Sequence, residues 1–153
     1  MDLHLIPSAV ASAGERAAID AAIGPATTGR QWLLPALRAA QARTGWISEG
    51  ALNYICERLP VAPAEAYGVA SFYAMFATKK RPRAVAFVCD DIACRTNGAE
   101  ALCQALEQRL GKPGEAAPDA PATWLRSPCQ GHCERGPAAL VQIAREVAPT
   151  LQS

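Results

Sequence analysis

Residues 89–94 read CDDIAC, and residues 129–133 read CQGHC. The four cysteines form two pairs, with four residues inside the first pair, three inside the second and 34 residues between the pairs. Neither pair has the two-residue spacing that is typical of zinc knuckles or of thioredoxin-type redox pairs. Four thiolates on two loops can bind either a zinc ion or an iron–sulfur cluster, so the pattern indicates a metal centre.

The spacing of the two pairs favours a binuclear iron–sulfur cluster, because a cluster is wider than a single zinc ion. Zinc, a disulfide and cysteines without any metal stay open as alternatives at this point. A cluster held by four thiolates is negatively charged, so N–H donors and cations are expected around it. The neighbouring residues expected to provide close backbone approach, donors or positive charge are Arg95, Arg126, Gly131, His132, Arg135 and Gly136.

His132 is expected to be a loop residue or a donor to sulfur rather than a ligand. A Rieske-type site uses two histidines, and the only other histidine is His4, near the N-terminus. Cys56 and Cys103 lie on the apolar faces of expected helices, where a free cysteine behaves as a small buried hydrophobe.

The composition excludes several classes of protein. The 153 residues carry 15 Lys+Arg and 14 Asp+Glu with no basic stripe, so nucleic acid is not an expected partner. No apolar run approaches the roughly 18 residues of a membrane span, which argues against membrane insertion. Asp2 and Pro7 interrupt a superficial resemblance to a signal peptide, so a cytoplasmic location is expected. In a reducing cytosol, cysteines indicate metal or redox chemistry more than disulfides.

Residues 1–80 have the periodicity of a helical bundle. Apolar spacing, caps and breakers predict four helices, over residues 6–23, 28–45, 48–60 and 63–76. Ser48 is a candidate N-cap, and Pro35 and Pro63 are compatible with first helical turns. The apolar run of residues 69–76 is interpreted mainly as core, with a partner-facing surface as the alternative.

Residues 81–153 change period and predict a small α/β domain. The expected elements are a buried strand over 84–89, a helix over 97–111 capped by Asn97, a loop over 111–121 and strands over 123–127 and 138–144. The sequence therefore predicts an α+β protein with a boundary at 79–83. We find no serine–histidine–aspartate set, no GxGxxG motif and no other catalytic constellation.

The sequence resembles the thioredoxin-like 2Fe-2S subunits of NADH-linked electron-transfer complexes. The resemblance covers roughly residues 31–143 and is carried by LLPALRAAQARTGWIS, SEGALNYICERL, VAPAEAYGVASFYAMF, CDDIAC, NGAEAL and CQGHCERGPAAL. The family includes the small 2Fe-2S subunit of respiratory complex I, that of NAD-linked hydrogenases and the gamma subunit of soluble NAD-dependent formate dehydrogenases.

This resemblance implies a fold, a cofactor and a partner. The fold would be an N-terminal helical bundle followed by a thioredoxin-like domain of the 2Fe-2S ferredoxin type. Cys89, Cys94, Cys129 and Cys133 would bind one 2Fe-2S cluster. The chain would be an oxidoreductase subunit without a catalytic site of its own, and its cluster would exchange electrons with the FMN of a flavoprotein partner. That partner, within a multisubunit complex, would bind FMN and NAD(H), and this chain would bind neither.

The sequence departs from the family pattern at three places. The loop 111–121 is rich in proline, and Gln130 and His132 replace part of the Leu-Gly sequence that the family usually has between the second pair of cysteines. The C-terminal part is also shortened. Because of this shortening, a partner is expected to cover one face of the sheet. The polar Gln130 and His132 are expected to change hydrogen bonding to sulfur, and hence the reduction potential. The shortened form favours a formate dehydrogenase subunit over complex I or a hydrogenase. A zinc-stabilised interaction module and a thiol oxidoreductase are more distant alternatives.

Overall fold

The computed structural model describes residues 8–24 and 28–144. The start of the expected first helix, His4 and the residues after 144 lie outside this described part. The chain divides into two compact units, one made of the described residues up to Lys80 together with Ala144, and the other of Arg81–Ile143. None of the helices in the described part is long and apolar enough to cross a membrane.

The first unit consists of four helices, α1 to α4. Their bounds are Ala13–Ile23, Leu33–Thr44, Glu49–Arg58 and Pro63–Phe72, and a short 3-10 turn, Arg30–Trp32, precedes the second. Ser48 caps α3 by accepting a hydrogen bond from the Ala51 N–H, as its sequence context predicted. Leu37, Ile55 and Leu59 are almost fully buried among the helices, so packing of the apolar faces holds this unit together.

The first helix begins later than the sequence predicted. It starts at Ala13 because Ser12 and Glu15 form a capping box, in which each side chain bonds the main chain of the other residue. The expected helical start at residue 6 is therefore wrong for the described residues 8–12.

The fourth helix ends earlier than expected, at Phe72. The chain then forms a turn, in which the Phe76 N–H donates to the Tyr73 carbonyl at 2.9 Å. The Gln41 side chain fixes the chain beyond it by donating to the Met75 carbonyl (2.6 Å) and accepting from the Ala77 N–H (2.7 Å). The interpretation of residues 69–76 as core is correct for Ala70, which is buried, but wrong for Phe72, whose side chain is 80% exposed. Tyr73 and Met75 are exposed as well.

The second unit contains a three-stranded mixed sheet in the order β2-β1-β3. The strands are β1 Ala84–Cys89, β2 Ala122–Ser127 and β3 Ala139–Ile143, close to the expected bounds. Strands β1 and β2 are parallel, with Cys89 opposite Ser127, whereas β3 is antiparallel to β1, with Ala139 opposite Val88.

Two helices follow β1, where the sequence predicted one. The short helix α5, Ile92–Thr96, is capped by the Asp91 carboxylate, which accepts from the Ile92 N–H at 2.8 Å. The long helix α6 spans Ala99–Leu110. Its expected cap is wrong: Gly98 is the N-cap, while the Asn97 side chain donates to the Ala93 carbonyl of α5.

Helix α6 packs on one face of the sheet. Val88, Cys103 and Trp124 form the buried cluster between them, and Trp124 Nε1 donates to the Gly111 carbonyl at 2.8 Å. Cys103 is thus buried in the sheet–helix core, and Cys56 is buried in the helical unit, which confirms the structural role predicted for both.

Candidate metal centre

The topology of the sheet brings the two cysteine pairs to one edge. Because β1 and β2 run in parallel, their carboxyl ends lie side by side, and each is followed by one of the cysteine-containing segments. This edge is where α/β sheets usually carry their ligands. Residues 136–138 reach the same edge, since the Cys89 N–H donates to the Ala138 carbonyl at 3.0 Å.

The first pair is buried. Cys89 is the last residue of β1, and Cys94 lies in helix α5 rather than in the expected loop. Hydrogen bonding from the Asp91 main chain, followed by that from Cys94 and from the Gln130 main chain, holds the pKa of the Cys89 thiol below its ordinary value of 9.0, against the opposing effect of desolvation.

Cys94 receives a different balance of interactions. The Ala138 N–H donates to its sulfur and lowers the pKa, but the hydrogen bond with Cys89, burial and the charge of neighbouring thiolates outweigh that effect. The pKa of Cys94 is therefore raised above its ordinary value.

The second pair is exposed. The sulfur atoms of Cys129 and Cys133 lie 3.4 Å apart, and the Gly131 N–H is 3.5 Å from Cys129 Sγ. Gly131 has a φ of +78°, which only glycine adopts without strain, so it allows the tight turn between the two cysteines. The hydrogen bond and charge of Cys129, followed by desolvation and the charges of Cys94 and Cys89, raise the pKa of Cys133.

The parallel register of β1 and β2 brings the two cysteine pairs to one edge of the sheet, where the charge of each pair acts on the pKa values of the other. The charges of Cys89 and Cys129 act on Cys94, and the charges of Cys94 and Cys89 act on Cys133. Four thiolates this close repel one another, and a cationic group between them would relieve that repulsion.

The donor arrangement distinguishes between a single ion and a cluster. Within residues 8–24 and 28–144, no three histidine, cysteine, aspartate or glutamate side chains gather where they could hold one metal ion. The cysteines form two close pairs instead. A structural zinc site needs four ligand atoms about 2.3 Å from one point, whereas a binuclear cluster takes two thiolates on each of two irons. Two pairs at one edge of a sheet fit the cluster better than the zinc ion.

Of the charged residues expected around the sulfur atoms, Arg126 is bound to carboxylates, and the roles of Arg95 and Arg135 stay predictions. Arg126 makes a bidentate ion pair with Glu100 (2.9 and 3.0 Å) and also contacts Asp90 at 3.3 Å. Its charge therefore neutralises carboxylates beside the site, including Asp90, which follows Cys89. Arg95 is exposed, and the Arg135 side chain is 85% exposed with Glu134 3.9 Å away.

The remaining expected neighbours are His132 and the two glycines. His132 is exposed, and its role as a donor stays a prediction. A Cβ on Gly136 would lie 3.4 Å from the Cys94 Cα, an ordinary contact distance, so close approach does not by itself demand glycine there. Gly131 does contribute an N–H near sulfur, as described above.

The main-chain donors are what sequence reasoning missed. Hydrogen bonding from the main chains of Asp91 and Gln130 lowers the pKa of Cys89, and that from Ala138 acts on Cys94 in the same sense. The side chains of these residues give no hint of that role. Gln130 alone carried a signal, because it is a polar residue between two candidate ligands. Its side chain points away from sulfur: Nε2 donates to the Phe87 carbonyl and to Ser127 Oγ, each at 2.8 Å.

Comparisons with known proteins agree with this geometry. The sequence model of the thioredoxin-like 2Fe-2S ferredoxin family matches residues 19–152. The E subunit of the NADH-quinone oxidoreductase of Escherichia coli (strain K12) is 33% identical over 131 residues, which are 85% of this chain and 79% of that protein. The corresponding protein of Buchnera aphidicola is 34% identical over 109 residues, covering 71% and 67% of the two chains.

A solved structure has a similar fold. The crystal structure of an NAD+-reducing NiFe hydrogenase in the air-oxidised state matches 72% of this chain with a TM-score of 0.62 and 29% sequence identity. The match spans only 19% of that hydrogenase chain.

Proposed function

The chain belongs to the thioredoxin-like 2Fe-2S ferredoxin family, and from that premise we propose that it is an electron-transfer subunit of an NADH-linked oxidoreductase. In this proposal Cys89, Cys94, Cys129 and Cys133 bind one 2Fe-2S cluster. Family membership confirms the α+β, thioredoxin-like fold class and the 2Fe-2S cofactor that the sequence predicted.

The observation that carries the ligand assignment is the meeting of two close cysteine pairs at the carboxyl edge of β1 and β2. Two thiolates for each of two irons is the donor set that a 2Fe-2S cluster requires. The unpaired cysteines, Cys56 and Cys103, are buried in separate cores and do not belong to this set.

A bound cluster supplies a carrier for one electron at a time. The chain's own residues set the conditions for that exchange. The Gly131 N–H lies 3.5 Å from Cys129 Sγ, and the positive end of its dipole stabilises negative charge added there. The exposed pair, Cys129 and Cys133, leaves the other side of the site open to a partner.

The partner is proposed to be a flavoprotein subunit that binds FMN and NAD(H) in a larger multisubunit complex. The names of the relatives support this, since they are a subunit of NADH-quinone oxidoreductase and an NAD+-reducing hydrogenase. Electrons would pass one at a time between that FMN and this chain, while the nucleotide chemistry stays on the partner. A cytoplasmic location is part of the same proposal.

The complex that owns the subunit is a finer question. A soluble NAD-dependent formate dehydrogenase is the sequence-based preference, and it stays a prediction. Complex I and NAD-linked hydrogenase are the two owners that the similar proteins name. Purification of the tagged chain with its native partners, followed by assays with formate, hydrogen and quinone as second substrates, separates the three.

The ligand assignment is tested on anaerobically purified protein. We expect about two irons and two sulfides per chain and, after dithionite reduction, an S = 1/2 EPR signal. Cys89→Ser and Cys129→Ser should each lose or alter this signal, whereas Cys56→Ser, a matched change at a buried cysteine of the other unit, should retain it. Stoichiometric zinc in place of iron, even with cluster-assembly proteins co-expressed, would overturn the proposal in favour of an interaction module.

A further inference from the structure

The second cysteine pair brings two thiols within reach of each other. Cys129 Sγ and Cys133 Sγ lie 3.4 Å apart, and both residues are exposed. A disulfide needs an S–S distance of about 2.05 Å, so the two sulfur atoms would have to approach by about 1.4 Å. Gly131 makes the turn between the two cysteines with a φ of +78°. The arrangement therefore suits two thiolates on one iron, and it equally suits a disulfide.

The chain around this pair leaves room for that movement. Residues 131–135 are all exposed, and both cysteines lie outside the buried hydrophobic clusters of the described residues. The Gln130 side chain ties the segment to the sheet by donating to the Phe87 carbonyl and to Ser127 Oγ, each at 2.8 Å. The two sulfur atoms can thus close on each other while the segment keeps its place on the sheet and no core is disturbed.

The first pair differs in its access to solvent. Cys89 and Cys94 are 1% and 2% exposed and pack with Ala99 in a buried cluster. A dissolved disulfide has to bring one of its sulfur atoms up to the attacking thiol, so it needs an open approach to that thiol. The exposed second pair offers this approach and the buried first pair does not. Reaction from solution is therefore expected at the second pair.

We propose that Cys129 and Cys133 are a thiol–disulfide exchange site as well as half of the ligand set. In the chain without its cluster, a low-molecular-weight disulfide such as glutathione disulfide closes an intrachain bond between them, and this bond blocks cluster uptake until it is reduced. The inference rests on the proposed function, because the block follows only if these two cysteines are ligands. The exchange itself requires only that the two thiols are close and exposed.

The exchange has two steps. One cysteine of the pair attacks a sulfur of glutathione disulfide, so that its S–S bond breaks, a mixed disulfide forms and one glutathione leaves as the thiol. The other cysteine then attacks the protein sulfur of the mixed disulfide, which forms the intrachain bond and releases the second glutathione. The two protein thiols lose two electrons and two protons, and the one disulfide gains them, so no further oxidant is needed. An excess of reduced glutathione drives the same steps backwards.

The consequence for the cluster follows from its donor set. A 2Fe-2S cluster takes four thiolates, two on each iron. A disulfide between Cys129 and Cys133 leaves only Cys89 and Cys94, so one iron would lack both of its protein ligands. When all four sulfur atoms are bonded to iron, the second pair is no longer free to exchange. Uptake of the cluster thereby depends on how reducing the surrounding thiol pool is.

Peptide mapping can test the exchange, because trypsin places each cysteine pair on its own peptide. Cleavage after arginine yields residues 84–95 with the first pair and residues 127–135 with the second. The reduced chain without its cluster is incubated with glutathione disulfide, quenched with acid, unfolded, alkylated, digested and analysed by mass spectrometry. We expect peptide 127–135 to lose two hydrogen atoms at a rate at least about tenfold above that of peptide 84–95, whose cysteines should be recovered alkylated.

Two variants separate ring closure from the formation of a simple adduct. Cys129→Ser leaves Cys133 without a partner thiol, so glutathione should remain bound to Cys133. Cys56→Ser, at a buried cysteine of the other unit, is the control and should close the bond at the wild-type rate.

Cluster uptake is measured separately. A preformed 2Fe-2S cluster is offered on a scaffold protein, in the absence of free thiol and sulfide, and the iron bound to the chain is counted. The oxidised wild-type chain should take up less than about a tenth of the iron that the reduced chain takes up. Treatment with dithiothreitol before the transfer should restore full uptake.

The possible results are distinct. An internal bond in peptide 127–135, together with uptake that returns on reduction, supports the proposal. A glutathione adduct that never closes, a bond that joins the two peptides, an equally fast closure in peptide 84–95 or unchanged uptake by the oxidised chain overturns it and leaves the proposed function standing. A reduced wild-type chain that takes up no cluster overturns the proposed function, and the block of uptake with it, whatever the mapping shows.

Discussion

Replacing Glu15 by Gln tests how the helical unit is held together. The Glu15 carboxylate is only 8% exposed and accepts three hydrogen bonds, from the Ser12 N–H (2.8 Å), Ser12 Oγ (2.7 Å) and Ser48 Oγ (2.5 Å). Ser12 caps α1 and Ser48 caps α3, so one carboxylate joins the starts of two helices.

The size of the effect follows from the loss of charge. Hydrogen bonds to charged groups contribute about 1.5–3 kcal/mol each and neutral ones about 0.5–1.5 kcal/mol. Glutamine keeps one oxygen for Ser12 and can donate its amide to Ser48 Oγ, which has a free lone pair. The three bonds thus become neutral, while the desolvation of a charge is relieved. We expect Glu15→Gln to lower the free energy of unfolding by about 1–2 kcal/mol at pH 7.

The same carboxylate makes stability depend on pH. Burial alone would raise the pKa of Glu15, but the hydrogen bonds from Ser48 and Ser12, with the charge of Arg43, hold it below its ordinary value of 4.5. A carboxylate with a lowered folded-state pKa stabilises the protein fully above the unfolded pKa, and this contribution is lost as the pH falls through the folded pKa. The difference in free energy of unfolding between wild type and Glu15→Gln should therefore become smaller below about pH 4.5.

Urea denaturation followed by far-ultraviolet circular dichroism at several pH values measures both effects. Glu57→Gln, at an exposed position of α3, is the matched control and should stay within about 0.5 kcal/mol of wild type. The m-value should not change, because the surface exposed on unfolding is the same. The reasoning would be refuted if the two variants had equal free energies of unfolding at pH 7. It would also be refuted if the difference between wild type and Glu15→Gln did not become smaller at acidic pH.

Two further predictions concern the cysteine segments. Gly131→Ala should destabilise the turn by about 1 kcal/mol, because φ is +78° and the added Cβ gains no contact within 4 Å. Gly68→Ala, within helix α4 and equally open, should instead stabilise the protein by about 0.5–1 kcal/mol. Shifts of the melting temperature in opposite directions would check both predictions. In the cluster-free chain, maleimide at pH 8 followed by peptide mapping should modify the exposed Cys129 and Cys133 well before Cys56. Burial raises the pKa of Cys56 to about 11, which leaves about one thiolate in a thousand at that pH. Equal labelling rates at Cys56 and at the exposed pair would contradict the burial of Cys56.

Secondary structure could be predicted most accurately from the sequence where a residue type has one main structural role. Strand β1 was predicted with its observed bounds because six mostly apolar residues are bounded by Pro82 and Asp90. Caps were predictable where a side chain faces its own helix, as Ser48 does. The cap predicted at Asn97 was wrong, because the Asn97 side-chain amide donates to the Ala93 carbonyl at the end of α5. Helix α5 has only five residues and is too short to be detected from the periodicity of the sequence.

The exposed end of α4 shows a second limit of sequence reasoning. The run from Val69 to Phe76 has the composition of a core segment, and composition alone cannot reveal that Gln41, about 30 residues earlier, holds the chain away from a helical path. Long-range contacts of a buried polar side chain decide the outcome here. Phe72, the last residue of α4, comes two positions after the buried Ala70 and therefore lies on the opposite face of the helix.

The proposed metal centre combines both situations. Its four candidate thiols could be picked out from their spacing, and their role as ligands stays a prediction. The hydrogen bonds that tune them could not, because their donors are main-chain N–H groups that every residue except proline possesses. Only the parallel pairing of β1 with β2 brings residue 130 to Cys89, across 40 intervening residues. Of the arginines that the sequence suggested as a source of positive potential, Arg126 is bound to Glu100 and Asp90, whereas the roles of Arg95 and Arg135 stay predictions. The Gln130 side chain ties the second cysteine segment to the ends of both parallel strands, and this link depends on the sheet rather than on any local sequence pattern.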